Sequence, residues 1–266
     1  MSGKIAVVFD SAGTLLHMYR VAKELSTGKL LKDIESTSIV AKKPGRALVV
    51  LHAEPETILH CNLRMTLVKF INDYEIAIDI SCSSSPFTVD DVFEIIKRSN
   101  VEFSNVHEVI HEVMTRCPGV YYLAAGIIVD SLEDSILYVL STGGRVYPNT
   151  IETVKSLKKR GVDTYIASGD SMRNLKQLAS CVNIPVERVF DIATTMEKER
   201  IVLNLKKIYD TVVMVGDGMN DILALKAADV GVMTIQQGDI RPEKLKNVAD
   251  IVIKDIIEVV DIIDSF

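Results

Sequence analysis

The C-terminal half of the chain alternates short apolar, β-branched runs with helix-like segments of about ten residues, and this constrains the fold most. The run at 162–167 stops on Ser168-Gly169-Asp170. The run at 211–215 stops on Gly216-Asp217-Gly218-Met219-Asn220-Asp221. An N-terminal run at 4–9 ends the same way, on Asp10-Ser11-Ala12-Gly13-Thr14. Strands separated by helices imply right-handed βαβ crossovers and a parallel sheet with helices on both faces. Such sheets bind ligands at the carboxyl ends of their strands, so all three polar clusters are expected at one end, in one site.

The expected class is therefore α/β, a Rossmann-like doubly wound parallel sheet. A helix is predicted over 149–160, burying Ile151, Val154 and Leu157 and stopping at Gly161. A second spans 171–180, with Leu175, Leu178 and Ala179 inward. Strand 189–192, helix 197–208 and helix 221–228 follow, then strands 230–233 and 251–253. Residues 15–145 break the alternation. They hold strand-like 47–52, 75–81, 120–129 and 136–140, helix-like 89–97 and 106–115, and a serine-rich loop at 81–86. This reads as an inserted α+β cap over 16–145, with the core formed by 1–15 and 146–266.

Composition removes several classes. Of 266 residues, 48% are apolar and 25% charged, the balance of a globular protein without disordered tracts. A net charge of −6 argues against a nucleic-acid partner, and Lys155, Lys158, Lys159 and Arg160 read as a solvated helix face. Four scattered cysteines without a CxxC pair suggest a reduced compartment. The N-terminus reaches Asp10 too soon for a signal peptide, and the most apolar stretch is too short to span a bilayer. The expectation is a cytoplasmic protein with no membrane or nucleic-acid partner.

The strand-end residues suit phosphoryl transfer. A carboxylate such as Asp10 can accept a phosphoryl group. The group is dianionic, so a cation must separate the charges, and Mg²⁺ prefers oxygen ligands of the kind Asp217 and Asp221 offer. Ser168 and the backbone at Gly169 offer donors to phosphate oxygens. Lys198 is the candidate to neutralise the remaining charge.

The run Asp10-Ser11-Ala12-Gly13-Thr14 resembles the first motif of the haloacid dehalogenase superfamily. Residues 166–170 resemble its second motif and 215–221 its fourth. Within that superfamily the likeness is to the phosphorylation domain of P-type ATPases, through Ser168-Gly169-Asp170, Lys198, Gly216–Asp221, Ala228-Asp229-Val230-Gly231 and Ala249-Asp250-Ile251. It covers 5–15 and about 145–263, near half of the chain. The resemblance implies Mg²⁺, an aspartyl-phosphate on Asp10 and a small phosphorylated substrate. Its catalytic set is Asp10, Ser168 and Lys198. The implied metal set is Asp10, the Ala12 backbone carbonyl, Asp217 and Asp221. Ser11, Gly13, Thr14, Gly169 and Asn220 are the implied phosphate-binding residues.

One departure matters. The superfamily's phosphatases carry an acid/base Asp two residues after the nucleophile, and this chain has Ala12. A methyl group moves no proton, and such help is worth about 10²–10⁴-fold. Slow release of a phosphoenzyme is the expectation. Phosphonoacetaldehyde hydrolases share Asp-x-Ala-Gly-Thr and use a cap lysine, for which Lys23, Lys29 and Lys32 are candidates. A phosphate- or nucleotide-binding regulator with little turnover is a further alternative.

His107-Glu108-Val109-Ile110-His111 matches a zinc-protease pattern, with both imidazoles on one helix face. The plainer reading is an amphipathic helix burying Val106, Val109, Ile110 and Val113, because no third ligand follows. Asp170 either caps the next helix or shapes the phosphate loop, and Asp191 and Asp229 are read as structural. Arg173 is assigned to a surface helix position.

Overall fold

The computed structural model describes residues 3–117, 122–238 and 247–266. It divides into two compact units, Met1–Met18 with Arg145–Phe266, and Tyr19–Gly144. Elements are numbered in chain order.

The first unit is built on β1 (Ile5–Phe9), β8 (Asp163–Ala167), β9 (Val189–Phe190), β10 (Thr211–Gly216), β11 (Val230–Thr234) and β12 (Ile251–Ile253). They form one sheet in the order β12-β11-β10-β1-β8-β9, every pair parallel. Ala6, Val7, Val8 and Phe9 are all fully buried, which explains a continuous apolar run in place of alternation. On one face Ala6, Val8, Val212 and Met214 pack against α8 (Thr195–Leu205) and α9 (Ile222–Ala227). The opposite layer is built on α6 (Thr150–Lys159), which packs on β8 and touches α7 (Met172–Val182) and α10 (Glu258–Asp264).

Aspartates fasten the amino ends of this sheet. Asp210, Asp229 and Asp250 each precede a strand and accept the N–H of a residue in the chain beside it. Their donors are Lys4, Val212 and Gly231, at 2.7–2.8 Å. Asp229 also pairs with Lys206. These charged hydrogen bonds fix the starts of the strands and leave the carboxyl ends for chemistry.

The second unit holds β2 (Leu16–Glu24), β3 (Leu30–Lys32), β4 (Arg46–Leu51), β5 (Ile78–Ser83), β6 (Tyr122–Asp130) and β7 (Ser135–Val146), ordered β3-β2-β7-β6-β4-β5. β2 begins, and β7 ends, a few residues inside the first unit. β3 with β2, β4 with β5, β4 with β6 and β6 with β7 are antiparallel. One face packs on α2 (Pro55–His60), α3 (Leu67–Asp73), α4 (Val89–Arg98) and α5 (Phe103–Arg116) through Val49, Ile127, Phe70, Ile96 and Val109. The other face meets α1 (Ser36–Ala41), whose Ile39 and Val40 cover Ala22, Leu48 and Ile128. Among the described residues, no helix is long and apolar enough to cross a membrane.

Several sequence expectations need correction. Ile151 is exposed, and α6 buries Thr150 and Thr153 with Val154 and Leu157. The strand expected over 189–192 stops at Phe190, because Ile192 turns to φ 49° and gives its N–H to the Asp170 carbonyl. The serine-rich segment 81–86 is strand up to Ser83, where its alternating side chains sit on an edge. Residues 118–121, the start of the expected strand 120–129, lie outside the described residues. β2, β3, α1, α2 and α3 had no counterpart in the sequence reading.

The HExxH helix is α5, with Val106, Val109, Ile110 and Val113 buried and His111 exposed. Glu108 is taken by Lys23 at 2.5 Å. Among the described residues, no third metal-ligating side chain joins His107 and His111. Lys23 lies on β2 and Lys32 on β3 rather than on helices, and Lys32 pairs with Glu112.

Candidate active site

Parallel strand ends gather the site. Asp10 follows β1, and its N–H donates to the Val215 carbonyl on neighbouring β10 at 2.9 Å. Ser168 follows β8, and its N–H donates to the Phe190 carbonyl of β9. Asp217 and Asp221 follow β10, in a loop that winds through one 3-10 turn into α9.

Lys198 comes from the first turn of α8. That helix starts with a capping box in which Thr194 and Glu197 exchange hydrogen bonds, which fixes where its first inward residue points. Lys198, Val202 and Leu205 make the buried stripe of the helix, so an ammonium stands where a core side chain belongs. It is fully buried, and a buried charge persists only when partnered. Its Nζ donates to Asp10 Oδ1 at 2.5 Å and to Asp221 Oδ1 at 2.7 Å. Burial works against its charge, but the two carboxylates overcome this and hold its pKa above the ordinary lysine value.

Asp221 is equally buried and saturated. Its Oδ2 accepts the N–H groups of Asp217 and Gly218 at 3.1 and 3.0 Å, so one side chain anchors both Lys198 and the loop. Two glycines make the approach possible. A Cβ on Gly216 would lie 2.6 Å from the Asp221 side chain, and one on Gly13, at φ 77°, would lie 1.9 Å from Asp217 Oδ2. Gly13 therefore lets the first loop bend and lets the Asp217 carboxylate close on it.

Oxygens of Asp10, Asp217 and Asp221 lie within 4.8 Å of one another. Among the described residues, the two carboxylates that Lys198 bridges, Asp10 and Asp221, carry two negative charges when ionised against its one positive charge. The imbalance shows at Asp10, whose pKa is raised well above its ordinary value. Burial is the main cause, followed by the charge of Asp221, with Lys198 opposing. Three close carboxylate oxygens with a charge excess suit a hard divalent cation such as Mg²⁺.

Beside them, Ser11 and Ser168 have their hydroxyl oxygens 2.7 Å apart, and both contact Asp170 Oδ2. Asp170 thus serves the loop and does not cap α7, whose Met172 N–H goes to Asp191 instead. Thr14 is fully buried, its hydroxyl has no hydrogen-bond partner among the described residues, and its carbonyl accepts from Gln236 Nε2 at 2.5 Å. A Cβ built on Gly169 would come no nearer to the described residues beyond its chain neighbours than 4.0 Å, at the Ala193 carbonyl oxygen. Asn220 is exposed, its Oδ1 folded over Gly218.

The folded chain thus unites Asp10, Ser11, Ser168, Lys198, Asp217 and Asp221, and sets Gly13 against them. Gln236 escaped the sequence reading. It also accepts the Ile256 N–H at 3.1 Å, tying the first loop to the C-terminal segment. The available signal was its position just after β11, at the carboxyl end of the sheet.

A model of the haloacid dehalogenase-like hydrolases matches residues 6–229. The chain is 34% identical over 263 residues to a soluble P-type ATPase-like phosphatase of Methanocaldococcus jannaschii, covering 97% of this chain and 93% of that protein. It is 32% identical over 106 residues to the chloroplastic copper-transporting ATPase PAA1 of Arabidopsis thaliana, covering 40% of this chain and 11% of that protein. The solved catalytic CPx-ATPase domain CopB-B is 28% identical, with a TM-score of 0.43, over 56% of this chain and 63% of that one. With its family model matched across the first loop, the insert and the Gly216–Asp221 loop, the chain belongs to the haloacid dehalogenase-like hydrolases.

Proposed function

We propose that this chain is a Mg²⁺-dependent phosphohydrolase that transfers the phosphoryl group of a small substrate to Asp10 and then to water. The observation that carries the reading is the buried Lys198 held between Asp10 and Asp221, with an oxygen of Asp217 within 4.8 Å of theirs. The phosphatase of M. jannaschii, similar along nearly the whole chain, supports the same reaction class.

Asp10 attacks phosphorus with one carboxylate oxygen, and the bond to the leaving group breaks. Lys198 holds the other charges in place and offsets the growing negative charge on the transferred group. Ser168, with the backbone N–H of Gly169, binds the phosphoryl oxygens, whereas the N–H groups of Gly13 and Thr14, expected as phosphate donors, are taken by the carbonyls of Leu16 and Ser11. Asp10, Asp217 and the Ala12 carbonyl would hold Mg²⁺, with Asp221 behind them, and the ion would screen nucleophile from dianion. Water then attacks phosphorus and returns Asp10 to its carboxylate. Ala12 offers no proton to the leaving group and takes none from water, so acyl phosphates and other good leaving groups are the favoured substrates.

The test is to incubate the protein with Mg²⁺ and ³²P-labelled acetyl phosphate, quench in acid, and count label on protein alongside released phosphate. An acid-stable, alkali-labile label together with turnover is expected, and neither in Asp10→Asn. Unchanged turnover in that variant would remove Asp10 from the mechanism. The Schiff-base alternative finds no support at Lys23 or Lys32, whose amines are engaged in ion pairs with Glu108 and Glu112.

A further inference from the structure

Ser11, Ser168 and Asp170 share more contacts than they have protons. Ser11 Oγ lies 2.7 Å from Ser168 Oγ and 2.9 Å from Asp170 Oδ2, while Ser168 Oγ lies 3.2 Å from the same Oδ2. The Asp170 N–H donates to Ser168 Oγ at 3.1 Å. Both serines are buried, at 0% and 2% exposure, so water cannot supply what is missing. Two hydroxyl protons must serve three contacts, and two oxygens at 2.7 Å repel unless a proton lies between them.

With Asp170 ionised, the assignment that uses the two shortest contacts runs Ser168 to Ser11 to Asp170. The Ser168 proton then points at Ser11 and away from any phosphate. To donate outward, Ser168 must accept from Ser11 instead, and Asp170 then loses its donor. With Ser11 so turned, its 2.9 Å contact with Asp170 Oδ2 holds a proton only when Asp170 carries one of its own and donates it to Ser11. Half-buried Asp170 can draw that proton from solvent.

We propose that Asp170 and Ser11 are positioning residues that set the direction of the Ser168 hydroxyl, and that binding of a tetrahedral dianion reverses the chain with uptake of one proton at Asp170. No covalent bond changes, and the proton returns to solvent when the anion leaves. The inference rests on the proposed reading of Ser168 as a phosphate donor. It adds a proton-linked control of affinity beside a nucleophile that lacks the usual acid/base neighbour.

Other charged groups stand on the surrounding elements. They are Asp10 after β1, Arg173 on α7, Asp191 before α8, Glu197 and Lys198 on α8, and Asp217 and Asp221 after β10. All are common to the wild type and an Asp170 variant, so the difference between the two isolates Asp170. Tungstate with Mg²⁺ is a suitable probe, being a tetrahedral dianion that keeps its charge over the working pH range. Calorimetric titrations in two buffers of different ionisation enthalpy count the protons taken up.

The wild type should take up a proton, with its Kd rising by up to about tenfold per pH unit where that uptake is complete. Asp170→Asn presents an amide N–H to Ser11 at every pH. It should bind tungstate within about threefold of the wild type's tightest value, without the extra uptake. Asp170→Ser, which also cannot titrate in this range, should lose the uptake as well and serves if the asparagine variant fails to fold. Proton uptake persisting in either variant, or Asp170→Asn binding more than tenfold weaker, would overturn the proposal. Ser168→Ala should bind roughly tenfold weaker or worse. If it binds normally, the phosphate role of Ser168 is wrong, a failure visible separately from that of Asp170. A wild type that binds no tungstate at all overturns the phosphoryl-transfer reading itself.

Discussion

Each unit of this molecule buries a cluster of charges, and the two clusters differ in balance. In the insert, Arg46 meets Asp130 at 3.3 Å and gives a second hydrogen bond to the Ile39 carbonyl. Asp130 also accepts the N–H groups of Leu132 and Glu133, so one positive and one negative charge are fully satisfied. In the core, Lys198 bridges Asp10 and Asp221, two carboxylates to one ammonium, and an oxygen of Asp217 lies within 4.8 Å of theirs. A balanced buried pair needs nothing more and holds a turn. An unbalanced one keeps a carboxylate pKa raised and has room in its electrostatics for a cation. Burial of charge alone does not mark a reaction centre; two carboxylates sharing one buried ammonium are the better sign.

Breaking the unbalanced cluster should cost activity most. Asp10→Asn is expected to lower kcat by on the order of 10⁴-fold or more, as loss of a nucleophile does, measured by phosphate release from acetyl phosphate. Lys198→Met should follow, with kcat down by about 10²–10³-fold. Removing the balanced pair should act on stability instead. Arg46→Met strands the Asp130 carboxylate, and a loss of about 3–5 kcal/mol in urea unfolding is expected, with kcat of the folded fraction unchanged. An equal loss of kcat would break the contrast.

Smaller effects follow from the excess charge. Mg²⁺ should raise the thermal midpoint of the wild type by several degrees, from a stabilisation of about 2–3 kcal/mol at a hundredfold excess over its Kd, and barely move Asp217→Asn. The pH dependence sharpens this. The raised pKa of Asp10 means that the folded chain holds its proton more tightly than the unfolded one. Its favourable contribution is full below the ordinary carboxyl value and is lost as pH rises through the folded value. In EDTA, stability should therefore fall across that window, Mg²⁺ should reverse the fall, and Asp10→Asn should remove it. At the foot of the scale, His111→Ala should leave phosphatase activity unchanged.

The parallel sheet and its reactive end were legible because β1, β8 and β10 are buried on both faces and stop on polar residues that have no reason to be in a core. Lys198 was legible as a cation to offset phosphate charge and by its likeness to the P-type ATPase lysine, and the structure sets it in the buried stripe of α8 with Val202 and Leu205. The antiparallel insert was much less so. β2 interleaves buried Leu16, Met18 and Val21 with half-buried His17, Tyr19 and Arg20, and a strand with one wet face gives a weak signal. Ile151 misled because an apolar residue at helical spacing is only a statement about a face, and the neighbours of α6 decided which face was covered.

Sequence alone determined the alternation of strands and helices in the C-terminal half, the proposed nucleophile Asp10 with its nearby Gly13, and the absence of an acid/base side chain at Ala12. Those are properties of local pattern and residue type. Tertiary structure alone decided that Asp170 serves Ser11 and Ser168 while Asp191 takes the start of α7, and that Gln236 holds Thr14. It also decided that one ammonium bridges two of the three gathered carboxylates. Each depends on which loops meet at the carboxyl end of the sheet, and partners 157, 159 or 222 residues apart in the chain leave no periodicity from which their meeting could be read.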